Sequence, residues 1–256
     1  MRMFFTLVLA AALAAVALAA DSNDAIPAEG GAIQVTPIMR TNVQIEYGGK
    51  VIQVDPLGKY DNVDIPYVGK FDALKAADLI LVSDIHPGNL DLDSEEIAKL
   101  RKSGAPVVMP MAVATLVGAK IPMPTVMANG DMMTVAGISI EAVPMYNVVH
   151  GPKAGEVYHP KGRGNGYIIT LGGKRLYFMG DTECRPEIRA VKNVDVAFIP
   201  MIMPYTMTPA EAVECVMALQ PKIAYPYHYE GQRRDETLFR AFLKTSPVEV
   251  RVNTKG

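Results

Sequence analysis

Only four histidines occur in the 256 residues, His86, His150, His159 and His228, and two of them follow apolar runs that read as buried strands. The run Asp78 to Val82 ends in Ser83-Asp84-Ile85-His86, and Ile223 to Pro226 ends in Tyr227-His228-Tyr229. A third run, Leu176 to Met179, ends in Gly180-Asp181-Thr182. Three strands thus each deliver an imidazole or a carboxylate at the carboxyl end. Strands hold side chains at fixed separations, while their ends open onto loops that admit a substrate. Histidine and aspartate are good ligands for zinc and similar divalent ions. Any one of them alone reads as a hydrogen-bonded histidine or a loop-capping acid. Three together in a chain this poor in histidine point to one shared cation site.

The elements that must position these groups follow from pattern. Ile33 to Ile38 opens a β-rich segment after a polar stretch, Asp21 to Gly31. Val43 to Tyr47 and Val51 to Val54 form a hairpin across Gly48-Gly49-Lys50, and Asp55-Pro56 stops the second strand. Residues 57–73 read as a surface loop. Asp78 to Val82 is near-continuous and apolar, as expected of a strand covered on both faces. A helix is expected from Ser94 to Ser103, capped by Asp93 and stopped by Gly104. A strand at Val107 to Met109 follows, then a short helix opening on Pro110.

Short strands and hairpin turns fill Thr125 to Met145. Three more strands follow at Gly166 to Leu171, Lys174 to Met179 and Val194 to Pro200. Thr208-Pro209-Ala210-Glu211 is a capping box with proline at the first helical position, so a helix is expected to about Leu219. A helix capped by Asp235 buries Leu238, Phe239, Phe242 and Leu243 on one face, and Val248 to Val252 is the last strand. Two β-rich halves, each closed by helices, fit a four-layer αββα sandwich with mixed, mainly antiparallel sheets.

Composition narrows the class. Half the residues are hydrophobic, too many for a disordered chain. A formal charge of −2 leaves no electrostatic footprint for nucleic acid. Two cysteines exclude a disulfide framework and a four-thiolate zinc site. Residues 1–20 have the form of a secretory signal peptide. Arg2 comes first, then an apolar stretch from Phe4 to Val16, then small residues with cleavage after Ala19 or Ala20; an uncleaved membrane anchor is the alternative. The expected product is a periplasmic or secreted protein with no membrane span after cleavage. Its N-terminal segment is 21–31 and its single domain 32–256. Oligomeric state is not legible.

Five segments, taken in order, resemble the metallo-β-lactamase superfamily. They are Asp78 to His86, Tyr146-Asn147, Tyr158-His159-Pro160-Lys161-Gly162, Gly180-Asp181-Thr182 and Pro226-Tyr227-His228-Tyr229. The resemblance spans about Ile33 to Val252 and lies with the broad metal-dependent hydrolase branch rather than the antibiotic-degrading enzymes. It implies the αββα fold and a His-x-His-x-Asp-His motif followed by a later histidine, a bridging aspartate and a last histidine. Carried over position by position, Asp84 stands at the first histidine and His86 at the second. Gly88 replaces the aspartate and Asn89 the next histidine. Asp181 is the bridging acid and His228 the last histidine. His159 matches the middle histidine better than Asn147, which occupies a strand end used by some relatives.

Losing the Asp-His pair at Gly88 and Asn89 removes most ligands of a second ion. The implied ligands of the remaining ion are Asp84, His86, His159, Asp181 and His228, with Asp181 also catalytic as proton acceptor. Asn89, Asn147 and Tyr229 are candidates for orienting ligands or meeting substrate. The expected cofactor is one zinc, or manganese if the Asp84 charge favours a harder ion. The expected activity is hydrolysis of a small-molecule amide, lactone, thioester or phosphodiester by metal-activated water or hydroxide. The alternative is a non-catalytic descendant that binds a small ligand or a partner. Cys184 reads as a free loop thiol or as the partner of Cys215 after export, and Cys215 as core. His150 reads as facing solvent rather than reaching the site, and Lys161 and Arg163 as solvated loop charges rather than a grip on an anionic substrate group.

Overall fold

The structure, a computed structural model, describes residues 24–57, 71–85, 95–229 and 233–252. The expected leader, His86, Gly88, Asn89 and the cap at Asp93 lie outside the described residues. Two seven-stranded sheets face each other, each following chain order. The first contains β1 (Ala25–Ala28), β2 (Gly31–Met39), β3 (Asn42–Tyr47), β4 (Lys50–Val54), β5 (Leu79–Leu81), β6 (Val107–Met109) and β7 (Thr125–Val126). The second contains β8 (Met132–Val135), β9 (Ile138–Met145), β10 (Gly164–Leu171), β11 (Lys174–Phe178), β12 (Val196–Pro200), β13 (Ile223–Tyr227) and β14 (Glu249–Val250). Helices α1 (Glu95–Leu100) and α2 (Met111–Val117) belong to the first half, and α3 (Pro186–Arg189), α4 (Pro209–Leu219) and α5 (Arg233–Phe242) to the second. Among the described residues no helix is long and apolar enough to cross a membrane.

The alternation along β5 shows why its sequence is apolar throughout. Leu79 and Leu81 enter the core between the sheets, while Ile80 and Val82 pack with Ile97 of α1 and Val113 of α2. Strand β12 repeats this: Val196 and Phe198 turn inward, and Ala197 and Ile199 pack under α4 with Ala212, Cys215 and Val216. Both sheets are therefore covered on both faces, which gives the four expected layers. Phe178, Phe198 and Tyr225 occupy one register across β11, β12 and β13. Their rings stack with centroids 4.5 and 5.0 Å apart. This ladder stiffens the strands that end in Asp181 and His228.

The sheets are less antiparallel than expected. Each opens with antiparallel pairings (β1 to β4, β8 to β11) and closes with parallel ones (β4 to β7, β11 to β14). The parallel halves arise where helical crossovers separate strands, because a crossover returns the chain to run in the same direction. Strand β1 lies in what reads as a polar stretch; Pro27 is tolerated there because the strand is at a sheet edge. Helix α4 starts as expected, with Thr208 Oγ1 accepting from Glu211 N–H and Glu211 accepting from Thr208 N–H.

Two glycines let the sheets close over the site. A Cβ on Gly164 would lie 2.2 Å from Met145 Cε, 2.8 Å from the Ser83 carbonyl oxygen and 3.3 Å from Asp84 Cγ. Gly180 has φ +68°, and its Cβ would meet Met145 Sδ at 2.3 Å. Gly164→Ala is expected to destabilise the protein by about 1–3 kcal/mol. The Ser83 carbonyl is backbone and cannot move aside, so the clash outweighs the ~0.4–1 kcal/mol that a glycine replacement gains through the unfolded chain. Urea denaturation of the variant against wild type checks this.

Candidate metal centre

Four strands end at one rim. In the first sheet β4 delivers Asp55, and β5 delivers Ser83 and Asp84; in the second, β11 delivers Asp181 and Thr182, and β13 delivers His228. The carboxyl ends of parallel strands are where α/β sheets present ligand sites. The two sheets are bonded together there. Asn165 N–H donates to the Ser83 carbonyl at 2.9 Å, and the Tyr167 hydroxyl donates to the Val82 carbonyl at 2.9 Å. Asp55 and His228 hold φ of 44° and 49°, and the His228 N–H donates to the carbonyl of Arg40, itself at φ 52°. Such left-handed backbone costs energy in non-glycine residues and clusters at functional sites.

Asp181 and His159 are fully buried, and His228 nearly so. His228 Nδ1 donates to Asp181 Oδ1 at 2.7 Å. His159 Nε2 lies 3.4 Å from Asp181 Oδ2. Asn147 sets the state of the His159 ring. Its Nδ2 donates to the Tyr205 carbonyl at 3.1 Å, and its Oδ1 accepts from the His159 N–H at 3.1 Å and from His159 Nδ1. The amide orientation is fixed by those two backbone partners, so Nδ1 carries a proton and Nε2 presents its lone pair toward Asp181. Two acceptor atoms facing each other attract only with a positive charge between them, a proton or a metal ion. Their spacing is that of two ligand atoms on one tetrahedral zinc, about 3.3 Å apart for bonds of about 2.0–2.1 Å.

Burial would push the Asp181 carboxyl up. The adjacent His228, which also donates a hydrogen bond, outweighs it with His159 close by and holds the group well below the usual carboxylate range. A buried carboxylate kept ionised in this way suits a cation ligand. Among the described residues no three His, Cys, Asp or Glu side chains form a complete metal cage. The residues fit part of one: His159 and Asp181 face a common point, His228 braces Asp181, and His86 follows Ile85 outside the described residues.

Asp84 is placed differently from a ligand. Arg163 grips it through both oxygens, Nε to Oδ1 at 2.9 Å and Nη2 to Oδ2 at 2.5 Å, and Oδ1 also accepts the Ile85 N–H at 2.8 Å. Arg163, read from sequence as a solvated charge, is instead the neutralising partner of a buried acid. Lys161 is exposed as expected but pairs with Glu187 and lies 4.7 Å from the centre of the Tyr146 ring. His150 is largely buried rather than solvated, with Nε2 3.6 Å from Glu211. Tyr229 turns away from the group: its ring packs on the helix side of the second sheet and its hydroxyl donates to Glu236 at 3.2 Å.

Four contributors escaped the sequence reading. Ser83 donates to Asp55 from its N–H at 2.7 Å and from its hydroxyl at 2.9 Å. Burial, with repulsion from the Asp181 charge added, pushes the Asp55 carboxyl up to about 8 against the Ser83 and Thr41 hydrogen bonds that oppose it. The rule that found Asp181, an acid at the end of a buried strand, also applies to Asp55, which reads at first only as a strand stop. Thr182 Oγ1 bonds the Tyr146 N–H and carbonyl at 3.0 Å each. Glu183 accepts from the N–H groups of Val149 and His150 at 2.8 and 2.7 Å. Thr182 and Glu183 rivet the loop after Asp181 to the loop that carries Asn147. Cys184, next in sequence, forms a disulfide with Cys215 of α4.

Comparison with known proteins identifies the family and agrees with the fold. The β-lactamase superfamily domain model matches residues 34–228. A UPF0173 metal-dependent hydrolase of Pyrococcus abyssi is 32% identical over 187 residues, covering 71% of this chain and 78% of its own length. A solved structure from Parabacteroides distasonis, described as that of a metal-dependent hydrolase, is similar with TM-score 0.76 at 34% identity over 90% of this chain and 96% of its own. Igni18, a metallo hydrolase of Ignicoccus hospitalis, has TM-score 0.68 over 88% of this chain and 96% of its own; at 19% identity it speaks for the fold alone. With the sandwich, the strand-end site and these relatives in agreement, the chain belongs to the metallo-β-lactamase superfamily.

Proposed function

We propose that this protein is an exported metal-dependent hydrolase with one divalent cation, held by His159 and Asp181 together with His86. The carrying observation is the 3.4 Å approach of His159 Nε2 to Asp181 Oδ2, with the far atom of each group tied off by Asn147 and His228. When bound, the cation acts as a Lewis acid that polarises a substrate oxygen and acidifies water. The chain's own groups do the rest. Asn147 keeps the proton on Nδ1 of His159 so that Nε2 can donate its lone pair, and His228 fixes the carboxylate plane of Asp181. Because Arg163 neutralises Asp84, that acid adds no net charge to the site, and the imidazole donors favour zinc over manganese. The leader-like residues 1–20 and the Cys184–Cys215 disulfide support export to an oxidising compartment.

Metal analysis of the purified protein tests this, beside a panel of ester, lactone, amide, thioester and phosphodiester substrates. The expected result is close to one ion per chain, with a hydrolytic activity that chelator removes and zinc restores. A metal-free protein that turns over nothing with added zinc or manganese rules the reading out. The Asp84–Arg163 pair, which withdraws a family ligand position, favours a second reading as a non-catalytic ligand-binding descendant. An ion held without turnover of any substrate would select it.

Asn147→Leu removes the brace on His159 while leaving all three proposed ligands in place. Metal affinity is expected to fall about 10–100-fold, the usual effect of losing a partner that orients a ligand. Competition with a chromophoric chelator reads this directly.

A further inference from the structure

Exposed apolar side chains are scattered over any protein surface, but three here lie on two loops that are bonded to each other at the centre. Val148 and Val149 follow Asn147 directly and are 52% and 71% exposed, and Met203 is 42% exposed. The Asn147 side chain is bonded to the Tyr205 carbonyl, which joins the turn carrying Met203 to the loop carrying the valines. The rings of Tyr158 and Tyr205 meet edge-on at 4.8 Å and continue this apolar surface to His159. Glu183 holds the N–H of Val149, so the rim is fixed in place by its backbone.

The charges around this rim are already compensated. On the loops carrying Asn147, His159 and Asp181, Lys153 pairs with Glu156, Lys161 with Glu187, Arg163 with Asp84 and Arg185 with Glu183. His150 faces Glu211. Among the described residues of these loops, each of these cations already has an acidic partner and none is left to receive an anionic substrate group.

We infer that the rim is a subsite for an uncharged aliphatic chain, and that the substrate is a neutral acyl compound (an ester, lactone or amide with an apolar tail) rather than a phosphodiester. This rests on the hydrolase reading above and narrows it. A methylene moved from water onto apolar surface contributes up to about fourfold in binding, so chain length is the quantity to vary.

Calorimetric titration of the full metal-loaded protein compares N-octylacetamide with N-methylacetamide. At least tenfold tighter binding of the octyl compound is expected. The doubly substituted Val149→Ser, Met203→Ser protein should lower that ratio at least threefold; both positions are exposed, so the fold is not at risk. Equal binding of the two amides, or a ratio unchanged by the substitutions, overturns the inference. In a parallel assay, p-nitrophenyl octanoate should exceed p-nitrophenyl acetate in kcat/KM. Turnover of bis(p-nitrophenyl) phosphate alone also overturns it. Chain-length-dependent amide binding with no hydrolysis of any substrate would leave the apolar subsite standing and remove the hydrolase.

Discussion

Asp181→Ala is expected to abolish metal binding and to reduce hydrolysis to background, and to lower the stability of the metal-free protein by about 3–5 kcal/mol, the cost of stripping one partner from a buried pair. The carboxylate touches two imidazoles, His228 at 2.7 Å and His159 at 3.4 Å, all inside the protein. Removing it opens a cavity beside two buried rings and takes the carboxylate from the His228 Nδ1–H. Asp181→Asn separates the two effects. The amide oxygen can still accept from His228 Nδ1, so most of the stability should return, while an uncharged amide is a poor ligand and the ion should still be lost. Retention of the ion by the Asn variant would show that this carboxylate does not hold it.

The same substitution carries a pH signature. Asp181 is held well below its ordinary value in the folded protein. Its contribution is therefore fully present above about pH 4, where the unfolded carboxylate is also ionised, and is lost as pH falls through the lower folded value. Asp78 and Asp195 are lowered as well, by Lys102 and Val51 and, against burial, by Lys222 and Arg175. Wild type alone thus reports a sum. The difference between wild type and Asp181→Asn, measured by metal-free urea denaturation from pH 6 to pH 3, isolates the one group: the gap should narrow on acidification. A gap constant across that range would contradict the ionised, hydrogen-bonded state of Asp181.

Much of this site is legible in the sequence, for a specific reason. A buried strand must be apolar on both faces, so a charged residue just past its end stands out, and Asp84, Asp181 and His228 were found that way. What the linear pattern lacks is pairing across distance. Arg163 and Asp84 lie 79 residues apart, and nothing local marks the arginine as the partner of that acid. Asn147 and His159 were both singled out, but as rivals for one ligand position. In the fold they occupy one position together, the asparagine orienting the histidine. Asp55 was hidden by its neighbour, because Asp-Pro at a strand end is sufficiently explained as a turn. The excess of parallel pairing was missed because hairpin glycines announce antiparallel strands, whereas crossovers are announced only by helices whose return direction is not written locally.

Loss of the Cys184–Cys215 bridge is expected to cost about 3–4 kcal/mol, the chain-entropy value for a closed loop of this size; the two cysteines are separated by 31 positions. The bridge joins the loop after Asp181 to the buried face of α4, and so couples the site's most central acid to the helix layer outside the second sheet. Activity should respond less than stability. Thr182 and Glu183 hold the same loop independently through Tyr146, Val149 and His150, so the folded, reduced protein keeps Asp181 in place at moderate temperature. The doubly substituted Cys184→Ala, Cys215→Ala protein avoids burying a new hydroxyl in the helix-side cluster. Its urea midpoint should fall well below that of the oxidised wild type and match that of the reduced one, with metal affinity near wild type at 25 °C. Identical midpoints for oxidised and reduced wild type would mean that the thiols are unpaired in the native protein, and the argument from redox chemistry to an exported location would fall with them.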